Sequence, residues 1–124
     1  MLVRNLNECK VIKAIDGTIL RELLNPYREG TELQLRYSIA HAILRAGEAS
    51  LPHRLTKASE VYYLLQGTGI IHVDEEVYEI GPGSLVYIPP NSIQYLENTG
   101  EENIEFLCIV DPYWQPKDEE LVEF

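Results

Sequence analysis

From Leu33 to Arg45 the chain reads LQLRYSIAHAILR, with apolar side chains at nearly every second position. Leu33, Leu35, Tyr37, Ile39, His41 and Ile43 share one face, and Gln34, Arg36 and Ser38 share the other. Alternation sustained this long predicts a β-strand with one buried face. Six short β-rich runs follow: Val61 to Leu65, Ile70 to Val73, Val77 to Ile80, Leu85 to Ile88, Ile93 to Glu97, and Ile104 to Val110. Between them stand the turn signals Gly67-x-Gly69, Asp74-Glu75-Glu76, Gly81-Pro82-Gly83, Pro89-Pro90-Asn91 and Asn98-Thr99-Gly100. Loops this short leave no room for crossover helices, so the pattern predicts an all-β fold, an antiparallel sandwich or barrel.

The two ends are less uniform. Asp16-Gly17, between the apolar flanks of Ile12 to Leu20, is a hairpin signal. Ile19, Leu20, Leu23 and Leu24 also make a helical stripe that stops before Asn25-Pro26, and of the two readings we prefer the hairpin or edge strand. At the other end, Pro116 to Phe124 reads as a short helix, with Asp118, Glu119 and Glu120 near its start and Leu121 and Phe124 available to dock on the barrel. With no internal repeat and no linker, one domain is expected: a barrel over 33–111, an N-terminal extension over 1–32 and a C-terminal tail over 112–124.

Composition then narrows the function. Asp and Glu number 20 against 10 Lys and Arg, a formal charge of −10. Phosphate backbones and anionic membranes both need a basic surface, so nucleic-acid and membrane binding are excluded as expectations. No run approaches the roughly 20 apolar residues of a spanning helix. The N-terminal MLVRNLNECK has no signal-peptide hydrophobic region, so cytoplasmic residence is expected. Cys9 and Cys108 stand 99 residues apart without a zinc or redox spacing, and read as reduced structural thiols. No nucleophile elbow, phosphate-binding loop or dinucleotide fingerprint is present. The acidic dipeptides Glu75-Glu76, Glu101-Glu102 and Glu119-Glu120 fall in turns or the tail and read as solvated charge.

Two stretches carry more specific information. The first, GEASLPHRLTKASEVYYLLQG, places Gly47, His53, Leu55, Glu60 and Gly67 at fixed spacing. The second, GSLVYIPPNSIQYLEN, does the same with Gly83, Pro89, Asn91, Gln94 and Asn98. Together they resemble the two motifs of the cupin family, and the resemblance implies a double-sheet jelly-roll β-barrel. In that family the first motif supplies His-x-His and Glu and the second a further His, which together hold a metal. Here Leu55 stands at the second His, Gln94 at the last, and Asn91 at the motif glycine. His53 and Glu60 remain at matching positions, and the carbonyl oxygen of Gln94 is a weaker donor than a histidine nitrogen.

Strand alternation extends the candidate site. If His53 points inward so does Leu55; if Glu60 does, so do Tyr62 and Leu64; and Gln94 brings Leu96. His41 shares the apolar face of the first strand and is expected inside the barrel, where it either replaces the missing nitrogen in a His41/His53/Glu60/Gln94 set or simply lines the wall. His53 and Glu60 read as a metal or substrate site, or as a buried His–carboxylate pair without metal. Tyr62 is the one tyrosine expected in the pocket, as a substrate contact or a cap. Arg45, at the strand's end, reads either as a contact for a substrate anion at the mouth or as an exposed solubility residue. His72 and Tyr63 are expected outside.

The resemblance therefore implies a small-molecule site organised around a divalent ion, Fe, Mn, Zn or Ni, as in dioxygenases, isomerases and lyases of this type. The alternative is a metabolite-binding or sensor barrel that has lost its catalytic metal. Because single-barrel cupins commonly pair, and because the outer face carrying Val61, Tyr63 and Leu65 is apolar, a homodimer is expected.

Overall fold

The computed structural model describes residues 1–30 and 32–123. It contains eleven strands: β1 (Val11–Lys13), β2 (Ile19–Leu24), β3 (Ser38–Leu44), β4 (His53–Leu55), β5 (Ser59–Gln66), β6 (Gly69–Val73), β7 (Glu76–Ile80), β8 (Leu85–Ile88), β9 (Gln94–Asn98), β10 (Ile104–Asp111) and β11 (Glu119–Leu121). Six form one sheet in the order β1-β2-β3-β10-β5-β8, and five form the other in the order β11-β4-β9-β6-β7. The strand pairs are antiparallel, as the short loops require. Among the described residues no helix is long and apolar enough to cross a membrane.

The Asp16-Gly17 signal makes a hairpin: β1 and β2 pair, and Ala14 N–H donates to Thr18 O at 2.8 Å. Gly17 takes φ +95, a conformation that glycine adopts without steric cost. In the second motif, Asn91 takes φ +66, so the turn survives the loss of the family's glycine because asparagine tolerates the left-handed region.

On β3 the inside and outside faces are the reverse of those read from the sequence. Ser38 and Ala40 line the barrel cavity, and Ala42 and Leu44 are in the core. His41 alternates with them and therefore faces outward, with Ile39 and Ile43. The alternation misleads because the outer face is itself apolar, with Ile39 beside Ile109 and His41 beside Leu107 across the ladder to β10. The inner face is built of small residues, which leave room for Phe106 and for a cavity.

Three strands share this division of the interior. Along β3, β5 and β10 the inward positions begin in packed core at Leu44, Leu64 and Ile104, and end in cavity wall at Ser38, Glu60 and Val110. The rings of Tyr62 and Phe106, 4.7 Å apart, mark the boundary. Leu44, Leu64, Ile88, Leu96, Ile104 and Phe106 are essentially inaccessible, each contributing about 1.5–3 kcal/mol by burial.

The C-terminal tail is not the expected helix. A single 3-10 turn at Pro116–Asp118 leads into β11, which pairs with the edge strand β4. Asp118 fastens it: one oxygen accepts from Thr56 Oγ1 at 2.6 Å and Lys57 N–H at 2.8 Å, the other from Ala58 N–H at 3.1 Å. Leu121 is exposed rather than docked, and Phe124 lies outside the described residues.

Candidate functional site

The hollow half of the barrel encloses a cavity of about 260 Å3. Its polar wall includes Asp16, His53, Glu60, Tyr62 and Glu119, and its apolar wall Ile12, Leu20, Ala40, Phe106, Val110 and Trp114. A larger groove of about 920 Å3 runs open between β7 and β8, but its acidic residues Asp74, Glu75, Glu76 and Glu79 are all exposed. Solvated charge does little chemistry, so the smaller cavity is the candidate.

The polar groups arrive from both sheets. β4 and β9 set His53 beside Gln94 in one sheet, and β5 supplies Glu60 and Tyr62 from the other. The Tyr62 hydroxyl donates to Gln94 Oε1, and Gln94 Nε2 donates to Glu60 Oε1 at 2.9 Å. This chain ties the sheets together. His53 is 2% exposed, with Nδ1 2.9 Å from Leu51 O. A carbonyl only accepts, so Nδ1 bears a proton, and Nε2 lies 3.7 Å from Asp16 Oδ2.

Burial pushes the Glu60 carboxyl up to about 7, against the opposing pull of His53 and of the Gln94 hydrogen bond; Glu119 and Asp16 push it further up. Burial also raises Tyr62 and Cys108 well above their ordinary ranges, the Glu60 charge adding to both, so the phenol stays a neutral donor and the thiol stays protonated. Glu119 is raised by burial, with His53 lowering it and Asp16 raising it.

Of the residues singled out from the sequence, His53, Glu60, Gln94 and Tyr62 are brought together. His41 is not: its Nε2 sits 3.1 Å from Glu105 on the outer face of the sheet, and its buried Nδ1 has no partner. Leu96 is in the core and Leu55 in a satellite cluster with Ala58, Val110 and Trp114, so neither lines the cavity. Arg45 borders a different, shallow depression with Ile43 and Glu48. His72 is outside as expected, stacked on Tyr95 and 2.7 Å from Glu97. Two further residues reach the cavity, Asp16 and Glu119; Glu119, expected as solvated charge, is half-buried in the wall, because nothing in the order of residues places a hairpin turn and a tail strand over the same cavity. The Asp16-x-Thr18 spacing was the available sign: the Asp16 side chain accepts from Thr18 N–H at 3.0 Å and Thr18 Oγ1 at 2.7 Å, which turns it back over the barrel.

These donors do not fit the expected metal. The carbonyl oxygen of Gln94, its only metal-binding atom, is engaged by Tyr62. Leu55 offers none, and His41 faces away. Among the described residues no three His, Cys, Asp or Glu side chains converge closely enough to hold an ion.

Two antiparallel sheets close over a half-hollow interior, with an imidazole and carboxylates inside, which is the architecture of a double-sheet β-barrel. The chain belongs to the cupin family, whose domain model matches residues 40–110. It is 35% identical over 108 residues to an uncharacterized protein of Methanocaldococcus jannaschii, covering 87% of this chain and 84% of that one. It is 31% identical over 96 residues to 5-aminosalicylate 1,2-dioxygenase of Comamonas sp., covering 77% of this chain but only 25% of the dioxygenase. Among solved structures, Streptomyces PAC13 with uridine superimposes at a TM-score of 0.79, over 100% of this chain and 92% of that one. At 18% identity that likeness is one of fold.

Proposed function

We propose that this cupin binds a small metabolite in the barrel cavity and transforms it by proton transfer, with His53 as base and Glu60 as acid, in a lyase or isomerase type of reaction. The observation that carries this reading is the Tyr62–Gln94–Glu60 chain, which spends Gln94 on holding a carboxyl beside an imidazole. The neutral form of His53, with Nδ1 donating to Leu51 O, offers Nε2 as the proton acceptor, and Glu60, raised to about 7, is protonated in about half the molecules at neutral pH. An imidazole and a carboxyl whose burial brings it to neutrality, side by side in one pocket, are the parts of an acid–base pair. Removing a proton next to an electron-withdrawing group while protonating a leaving oxygen is what such a pair accomplishes.

The test is to incubate chelator-treated protein with a metabolite extract in deuterium oxide and follow products by mass spectrometry. Loss of water or gain of deuterium is expected, and should vanish in both His53→Gln and Glu60→Gln. A reaction that returns only when iron, manganese, zinc or nickel is added would refute the metal-free reading. Bound metabolite without turnover would favour the sensor alternative.

The homodimer expectation gains support from the outer face of the six-stranded sheet. Tyr63 lies opposite Leu85 and Val61 opposite Tyr87, and Tyr63, Leu85 and Tyr87 are 40%, 66% and 59% exposed. Contiguous apolar surface of this kind marks an interface. Sedimentation should give a dimer, and Tyr87→Glu a monomer; a wild-type monomer at micromolar concentration would remove the pairing.

A further inference from the structure

The cavity that holds His53, Glu60 and Tyr62 meets solvent at one place. All three side chains are buried, and of the wall residues only Lys13, Ile15 and Pro116 are exposed. Lys13 and Ile15 stand on the β1–β2 hairpin and Pro116 on the C-terminal segment, so the mouth lies between these two pieces of chain. The C-terminal segment crosses it. That segment leaves the six-stranded sheet at the cavity end of β10, contributes Trp114, Pro116 and Glu119 to the wall, and joins the five-stranded sheet as β11 on the edge of β4. A ligand reaching the acid–base pair has to pass one of the two.

The two are held differently. The hairpin is packed: Leu20 lies against the main core, β2 pairs with β3 from Ile19 to Leu24, and Asp16 O accepts from Leu51 N–H at 2.8 Å. The C-terminal segment is packed at its near end, where Trp114 sits on Leu55, Ala58 and Val110, and Tyr113 N–H donates to Arg36 O at 2.7 Å. Beyond that seat no residue from Pro116 to Glu123 is buried, and Leu121 is exposed. What holds the far end is mostly polar: the three-residue β4–β11 ladder, Thr56 N–H on Asp118 O at 2.9 Å, Val122 N–H on Pro52 O at 3.0 Å, and the Asp118 carboxylate across the 56–58 turn. Hydrogen bonds near solvent exchange for bonds to water at small net cost, whereas buried apolar contacts do not, so the far end is the part that opens first.

We propose that residues 115–122 are the lid of the cavity: β11 unzips from β4 with Trp114 as the fixed end and the Asp118 carboxylate as the latch, and the ligand enters and leaves through that opening. The inference rests on the cavity being a ligand site. Segments that close enzyme cavities come from the less stable parts of a fold, because they open once in each cycle, and their closure keeps water from the reacting groups. Asp118 suits a latch. Its two oxygens take three donors from one turn, so the three bonds form and break together. Opening takes Pro116 and Glu119 out of the wall and leaves His53, Glu60 and Tyr62 in place on β4 and β5.

Cys108 reports the opening, because it is buried and lines the cavity. In a Cys9→Ser background it is the one thiol of the chain, and its modification by methyl methanethiosulfonate at neutral pH is followed by mass spectrometry. The rate should be flat in urea below the unfolding transition, since release of one short strand exposes little surface. Thr56→Val removes one donor to the carboxylate and should raise the rate about tenfold, the factor for one charge-assisted hydrogen bond; Asp118→Ala removes all three and should raise it further. Thr18→Val, which loosens the hairpin turn instead, should leave it unchanged. A rate that climbs with urea as global unfolding does, no acceleration in the latch variants, or acceleration in Thr18→Val alone would overturn the lid. If Asp118→Ala does not fold, the milder Thr56→Val decides. Labelling needs neither bound metabolite nor turnover, so the lid can fail while the proton-transfer reading stands, and the reverse.

Discussion

Glu60→Gln should make the protein more stable, and only above a certain pH. The carboxyl titrates at about 7 in the folded barrel against an ordinary 4.5, with burial as the main cause. Between those values the folded protein keeps a proton that the unfolded chain has lost, so unfolding free energy falls as pH rises through the window. A tenfold difference in proton affinity is worth about 1.4 kcal/mol. The ionised carboxylate therefore costs the fold about 3 kcal/mol above neutrality and nothing below about pH 4.5. Glutamine has nearly the same shape, and its oxygen can still accept from Gln94. Urea titrations of both proteins at about pH 5 and about pH 8.5 should show near-equal stability at the lower pH. At the higher pH the variant should lead by about 3 kcal/mol, roughly 10 °C in Tm. A stability difference that does not change with pH, or a variant weakened throughout, would refute the burial argument. A group whose removal stabilises the fold is held for chemistry rather than for packing.

Tyr62→Phe keeps the ring against Phe106 but leaves Gln94 Oε1 buried without a donor, and should cost about 1–3 kcal/mol in a urea titration. Gly69→Ala should cost about 1–3 kcal/mol or more by the same measurement, because a Cβ there would lie 2.3 Å from Glu97 O and 2.8 Å from Ile104 Cδ1, and the backbone atom cannot yield. His41→Ala should leave the affinity of any cavity ligand unchanged in calorimetry, since His41 faces Glu105 on the far side of the sheet; a large loss would put it back among the site residues.

The strands were legible because every run downstream of residue 59 is bounded by turn residues whose chemistry fixes the break, and Leu85 to Ile88 matches to the residue. What alternation could not give is which face is inside. On β3 both faces are apolar, and the inner one is marked by small side chains rather than by hydrophobicity, since a wall beside a cavity must leave volume unfilled. His41 was misplaced for that reason. His53, Glu60 and Gln94 were legible through their spacing. Asp16 and Glu119 were not, because they reach the cavity through tertiary ties: Thr18 bending the hairpin back, and Asp118 clasping the 56–58 turn.

The departures from the family's ligand set and the arrival of these carboxylates are linked through one residue. Leu55, where a metal-binding imidazole is expected, packs instead with Ala58, Val110 and Trp114. That cluster seats the C-terminal segment: Trp114 N–H donates to Ser38 Oγ at 2.9 Å, Asn25 holds the Trp114 carbonyl at 3.0 Å, and the indole N–H reaches Glu119. In the β4–β11 ladder Glu119 stands directly opposite Leu55, so both side chains share one face of the sheet. An imidazole at position 55 would bring a polar ring into the apolar seat of Trp114. The leucine thus removes a donor from the metal set and, by seating the strand that carries Glu119, adds a carboxylate to the cavity.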